Sequence, residues 1–201
     1  MGNWLASFIS KLLHPIFMPL FGAALLFAFP TFLGFMTHEK LKMVILILIA
    51  FNTLILPLLF SLFLKWRGII DSLYMETVEE RRWPYLFSIC MFIICIWLFR
   101  EFRINPILIN FLMGAAVAIF ILLVMSYANF KMSAHLLGTG GLVGMFTVVA
   151  ITDRIDLSFL LILLVLLSGL LGTARLQLKA HRPIEIYSGF LVGFLVQMAY
   201  L

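Results

Sequence analysis

The stretch LSFLLILLVLLSGLLGTARLQLKAHRPIEIYSGFLVGF, Leu157 to Phe194, contains two apolar runs with a short charged segment between them. The first run carries no charged side chain before Arg175, and the second follows Pro183. A helix of about 20 apolar residues crosses the hydrocarbon core of a bilayer. The stretch therefore predicts two membrane helices joined by a loop. The charged side chains beside that loop are Arg175, Lys179, His181, Arg182 and Glu185.

The rest of the chain has the same apolar character. Of its 201 residues 64% are hydrophobic and 11% are charged, and the mean hydropathy is +1.17. A soluble domain of this length could not bury so much apolar surface. We expect a single integral membrane domain over 1–201, an all-α polytopic bundle of six or seven transmembrane helices with a retained first span. The predicted spans lie near 12–36, 42–64, 84–100, 106–127, 134–151, 157–173 and 184–201.

The number of spans determines which loops share a face of the membrane. If each span crosses once, the loops after the second, fourth and sixth spans lie on one face. The polar side chains that this brings together are Arg81, Arg82, Lys131, Ser133, His135, Arg175, His181 and Glu185. The opposite face carries HEKLK, REFR and TDRID, which are typical of solvated charges that anchor helix ends. We expect His14 and His38 to be inert.

His181 and Glu185 form the core of a predicted catalytic site. Their spacing of four residues allows side-chain contact at the start of a helix. A carboxylate bonded to one imidazole nitrogen fixes the tautomer and leaves the other nitrogen as a base or nucleophile. His135 is placed to protonate a leaving alkoxide. Zinc is an alternative, but two ring ligands among several cations make a poor cation site, so no metal or other cofactor is expected.

The surrounding cations predict an anionic substrate. Guanidinium groups match phosphate oxygens two at a time, and the free N–H groups at helix starts also bind anions. Ser133 adds a hydroxyl. The predicted phosphate-binding residues are Arg175, Lys131, Ser133, Arg82 and Arg81. Lys179 and Arg182 are interpreted instead as side chains that reach lipid headgroups.

Three short patterns in this region resemble the signatures of the type 2 phosphatidic acid phosphatase superfamily. Arg175, His181 and Glu185 resemble the third signature, which ends in aspartate in most members. Ser133 and His135 resemble the second, usually Pro-Ser-Gly-His, and EERRWP resembles a degraded first signature. The resemblance covers roughly 81–193, and Gly189 and Gly193 add to it because the family often has small residues spaced by four there.

The resemblance implies a fold and a mechanism. It implies a helical membrane core with His181 as the nucleophile that forms a phosphohistidine, Glu185 as its orienting carboxylate and His135 as the general acid, without a metal. The chain departs from the family pattern at several positions. Met132 and Ala134 replace proline and glycine, and Glu76 stands where the first signature usually has lysine. Lys131 is the candidate to replace that lysine.

The sidedness of the site is predicted from the family rather than from charge. The presumed active face carries nine Lys and Arg residues and the opposite face five, but removing the four candidate phosphate ligands leaves five on each face, so the positive-inside rule does not decide. The resemblance favours the bacterial inner membrane with the site facing the periplasm, at headgroup level.

The expected partners follow from the small extramembranous part of the chain. The substrate would be a lipid phosphate or diphosphate that reaches the site laterally among membrane lipids, and no nucleic acid is expected. The function predicted is a metal-independent lipid phosphatase. Alternatives are a phosphotransferase of the same family, a non-catalytic protein that binds anionic lipids, and a transporter.

Overall fold

The computed structural model describes residues 2–75 and 77–201, and within these ranges the chain forms helices and no strands. The helices are α1 (Asn3–Leu12), α2 (Met18–Ala28), α3 (Phe32–Met36), α4 (Glu39–Ile49), α5 (Leu56–Trp66), α6 (Arg82–Glu101), α7 (Pro106–Tyr127), α8 (Ala134–Asp153), α9 (Ser158–Gln177) and α10 (Pro183–Tyr200). A 3-10 turn, Pro15–Phe17, joins α1 to α2, and a π-helical segment, Ala50–Ile55, joins α4 to α5.

The long helices confirm the predicted all-α membrane bundle. Among the described residues, six segments are long and apolar enough to cross a membrane: Asn3–Ala28, Glu39–Trp66, Arg82–Glu101, Pro106–Tyr127, Ala134–Asp153 and Ser158–Gln177. The final helix, α10, packs along α8. The chain is therefore an integral membrane protein. Helix α10 covers the predicted span 184–201 but is not among these six segments, and its opposite face, with Ile184, Tyr187 and Leu191, is exposed.

The first span differs most from the sequence prediction of 12–36. It begins at Asn3 and breaks before Pro15, whose ring fixes φ and removes an N–H donor. The segment before Leu12 is less apolar than a usual span, yet its small and apolar residues pack against α9, with Ala6 and Ile9 buried beside Leu171. Tertiary contact thus orders a helix that hydropathy leaves out. Phe32–Met36 forms a separate short helix.

The second span, Glu39–Trp66, runs unbroken but changes its winding in the middle. Pro57 lacks the N–H that an α-helix would use, and the nearby six-residue segment Ala50–Ile55 adopts the π-helical form. The buried Asn52 and Thr53 side chains in this segment donate to the carbonyls of Leu48 and Ile49. The polar groups of this bend are therefore satisfied locally.

Helices α8 and α10 pack in parallel at very close range. Gly189 lies against Ser133, and one turn further Gly193 lies against Leu137, so the two helices run in the same direction. A Cβ on Gly140 would overlap the carbonyl oxygen of Phe190. Small residues allow such backbone approach in membranes, where apolar surface alone does not bring helices together. This contact brings the segments before α8 and α10 together at one end of the bundle.

Candidate functional site

A cavity of about 220 Å³ opens among the helices beneath these two helix starts. The residues at its polar end are His14, Arg81, His135, Arg175 and His181. Its walls continue along α7 from Leu122 through Ala118 to Phe111, eleven residues or about 16 Å of helix axis. The cavity therefore joins a cationic, imidazole-rich end to a largely apolar interior.

His181 is held through one ring nitrogen. Its Nδ1 lies 3.0 Å from the carbonyl oxygen of Lys131 and 3.3 Å from Oε2 of Glu185. Both partners are acceptors, so Nδ1 carries the proton and Nε2 keeps its lone pair in the neutral ring. Burial, followed by the charges of Arg175 and Arg81, lowers the pKa of His181 below its ordinary value although Glu185 opposes the shift. A neutral ring with a lone pair on Nε2 has the form of a nucleophile.

Glu185 is positioned in the first turn of α10 by three donors. Its Oε2 accepts the Arg182 backbone N–H at 3.0 Å and its Oε1 accepts the Arg182 Nε–H at 3.1 Å, in addition to the contact with His181. The carboxylate is almost buried, and a negative charge there is favoured by the helix start. Arg182, expected to reach lipid headgroups, therefore also fixes the carboxylate, although its side chain is 70% exposed.

His135 is anchored to the first helix. Its Nε2 lies 3.2 Å from the carbonyl oxygen of Ser10, so Nε2 carries a proton and Nδ1 is the nitrogen that can gain or lose one. This hydrogen bond persists in both protonation states of the ring. His135 lines the cavity with His181, so the structure brings the two predicted histidines to one space on one face.

Two arginines supply the positive charge at the polar end of the cavity. Arg175, in the last turn of α9, has a buried Nε with no hydrogen-bond partner in the described part of the chain. Arg81 is 8% exposed and donates its Nε–H to the carbonyl of Met75 at 2.9 Å. Met75 itself has a φ of 47°, in the left-handed region. The loop before α6 is thus folded back so that Arg81 faces the cavity.

The other predicted phosphate ligands lie outside the described cavity lining. Arg82 donates to the carbonyl of Ser126 at 3.2 Å, and its guanidinium lies 4.5 Å from the centre of the Tyr127 ring. Ser133 is fully buried, and its hydroxyl caps α8 by accepting the N–H of Leu136. Lys131 contributes its carbonyl to His181. Neither Arg82, Ser133 nor the Lys131 side chain is among the described residues that line the cavity.

His14 lies at the polar end although the sequence prediction left it inert. Its ring centre is 5.2 Å from that of His135, with the planes 78° apart. The residues near Lys11 precede the first predicted span, so they lie on the same face as the loops after the second, fourth and sixth spans. What the sequence prediction lacked was the break before Pro15, which turns His14 inward.

The inner end of the cavity contains one buried amide. Gln197 is 2% exposed and donates from Nε2 to the carbonyl of Phe111 at 3.0 Å, while its Oε1 has no partner among the described residues.

No group of three His, Cys, Asp or Glu side chains in 2–75 and 77–201 is arranged to hold a metal ion.

The arrangement can bind an oxyanion between the two guanidinium groups and offer it the Nε2 lone pair of His181.

The predicted first-signature position at Glu76 lies outside the described residues. No family model, curated protein or solved structure matches this chain.

Proposed function

We propose that this protein is a membrane lipid phosphatase that works through a phosphohistidine on His181 without a metal ion. The observation that carries the proposal is the cavity. At one end it has two guanidinium groups and His181, whose Nδ1 faces two acceptors, and at the other end it has apolar walls. A phosphate bound by Arg81 and Arg175 would leave its acyl or prenyl chain against α7. A soluble phosphate ester would gain nothing from those walls.

The first chemical step uses the Nε2 lone pair of His181. It forms a bond to phosphorus while the bond from phosphorus to the lipid oxygen breaks, and the two arginines stabilise the charge on the phosphoryl oxygens. In the empty site Nδ1 of His135 has a lone pair; the negative charge of the bound phosphate favours a proton there, and the leaving lipid oxygen takes that proton. Glu185 and the Lys131 carbonyl hold Nδ1 of His181 and stabilise the ring as it becomes positive.

The second step returns the site to its starting state. A water molecule gives a proton to Nδ1 of His135 as its oxygen attacks phosphorus, and the bond from phosphorus to Nε2 breaks. Inorganic phosphate leaves, and His181 is again neutral. The hydrogen bond from His135 Nε2 to the Ser10 carbonyl is kept throughout, so one ring serves as acid and then as base. An acceptor alcohol in place of water would make the same site a phosphotransferase.

The proposed setting is the bacterial inner membrane, with the cavity facing the periplasm and lipid phosphates or diphosphates entering from the bilayer. The helix starts that carry the site lie at one end of the bundle, which corresponds to headgroup depth for a spanning helix. Within 2–75 and 77–201, few residues lie outside the helices to recognise a large soluble substrate.

The test is phosphate release by the purified protein in detergent with EDTA, from a panel of lipid monophosphates and diphosphates. We expect release that His181→Ala abolishes and His38→Ala does not, because His38 caps α4 with an exposed ring on the other side of the bundle. Loss of release in EDTA, or retention in His181→Ala, would contradict the proposal. Lipid binding without release in the folded wild-type protein would favour the non-catalytic alternative.

A further inference from the structure

His14 occupies a defined place at the junction of α1 and the 3-10 turn. The backbone N–H of Ile16 donates to its Nδ1 at 3.3 Å, which fixes the ring orientation. The ring lies beside His135 and lines the same cavity as Arg175. A histidine that merely capped this three-residue turn would not need to face the cavity.

The hydrogen bonds assign different tautomers to the two neighbouring rings. Because His14 Nδ1 accepts from Ile16, it carries the lone pair, and the proton of the neutral ring is on Nε2. His135 is the reverse, since its Nε2–H is directed to the Ser10 carbonyl and its Nδ1 has the lone pair. His14 therefore brings a donor to the site where His135 brings a proton acceptor.

The same contact keeps His14 neutral. A second proton on the ring would sit on Nδ1 and meet the Ile16 N–H head-on, so the hydrogen bond would be lost. The positive charge of Arg175 in the same cavity further disfavours a cationic ring. His14 is thus suited to donate a hydrogen bond without transferring a proton, which separates its role from that of His135.

We propose that His14 binds the substrate directly, its Nε2–H donating to an oxygen of the phosphate group that Arg81 and Arg175 hold. The inference rests on the proposed function for the identity of the anion, and the chemistry recognised is a phosphate oxygen, whether it belongs to a lipid headgroup or to free phosphate. His14 joins the site through tertiary structure, outside the three patterns that carry the family resemblance.

Two amide substitutions separate the donor from the turn. In His14→Asn the side-chain oxygen can replace Nδ1 as the acceptor for Ile16, but the amide does not reach the position of Nε2. In His14→Gln the terminal NH2 can reach that position. The matched control is His38→Asn, because His38 Nδ1 accepts the N–H of Lys40 at the same distance of 3.3 Å outside the cavity.

The experiment measures binding of inorganic phosphate and of a short-chain lipid phosphate, as a rise in thermal midpoint with ligand concentration. We expect His14→Asn to weaken both by about 10- to 100-fold, the range for a hydrogen bond to a charged group. We expect His14→Gln to recover most of the loss and His38→Asn to leave binding unchanged, with each rise measured from that variant's own ligand-free midpoint.

Unchanged binding in His14→Asn, equal losses in the Asn and Gln variants, or a loss confined to the lipid would overturn the inference. Because this readout needs no turnover, it is independent of phosphate release. Retained release in His181→Ala would refute the phosphohistidine and leave the His14 result standing.

Discussion

Replacing Gly189 by alanine tests whether the close contact of α8 and α10 builds the site. A Cβ there would lie 2.6 Å from the carbonyl oxygen of Ser133, whereas ordinary contacts begin at 3.4 Å. The helices would have to separate locally by about 0.8 Å, since packed backbone has little room to yield. The hydrogen bond from the Ser133 N–H to the Glu185 carbonyl, now 3.0 Å, would then stretch to about 3.8 Å, beyond useful range.

The expected cost has two parts. Overpacking of this kind costs about 1–3 kcal/mol, and the lost hydrogen bond adds about 1 kcal/mol. The higher helix propensity of alanine offsets at most about 1 kcal/mol. The contact from His181 to the Lys131 carbonyl joins the same two segments, so the nucleophile moves as well. A displacement near 1 Å can lower the rate by about 100-fold.

The assay compares thermal unfolding in detergent and phosphate release for Gly189→Ala and Gly169→Ala. Gly169 is an exposed residue of α9 with open space around its Cα, so the same substitution there adds a methyl group without a clash. We expect a lower midpoint and a much slower rate for Gly189→Ala alone. Equal midpoints and rates for the two variants would refute the reasoning.

Three further predictions concern the ionisable groups of the site. Arg81→Gln should raise KM by about 10-fold or more, because it removes a charged hydrogen bond to the substrate. Arg82→Gln removes a guanidinium outside the cavity and should leave KM unchanged. Similar KM values for the two variants would contradict the assignment of Arg81 as a phosphate ligand. Glu185→Gln should slow formation of the acid-labile phosphoenzyme, measured with radiolabelled substrate in a single turnover, by about 100-fold or more, and Glu185→Asp by less. Because the pKa of His181 is lowered, its ring stays neutral as the pH falls through 6.5. The phosphorylation rate should therefore be unchanged at pH 6.5 and decline only at lower pH. A decline centred at 6.5 would show that the pKa of the histidine is not shifted.

The pH dependence has a matching effect on stability. A histidine whose folded pKa lies below its unfolded value binds fewer protons when folded, so the folded state loses stability as the pH falls below about 6.5. The free energy of unfolding should therefore fall less at low pH in His181→Ala than in the wild-type protein.

The membrane bundle, and the convergence of several candidate site residues at one end of it, could both be predicted from the sequence. Apolar runs of membrane-spanning length identify helices directly, because a bilayer demands them and a soluble interior could not hold them. Counting those runs placed Arg175, His135 and His181 at one face, and all three line the cavity. The four-residue spacing of His181 and Glu185 predicted their contact, because residues so spaced are neighbours on a helix turn.

The choice among adjacent polar residues required the tertiary structure. Arg81 and Arg82 differ by one position in the chain, yet one faces the cavity and the other lies over Tyr127. Ser133 matched a phosphate-binding pattern but is used to cap α8, and His14 matched none but lies beside His135. These outcomes depend on how the helices pack, and hydropathy does not determine packing because lipid tails are as apolar as helix surfaces. The sequence alone determined that the chain crosses the membrane and which helix ends lie on the same face. The close backbone contact at Gly189 and Gly193 and the break at Pro15 decided which side chains share the cavity.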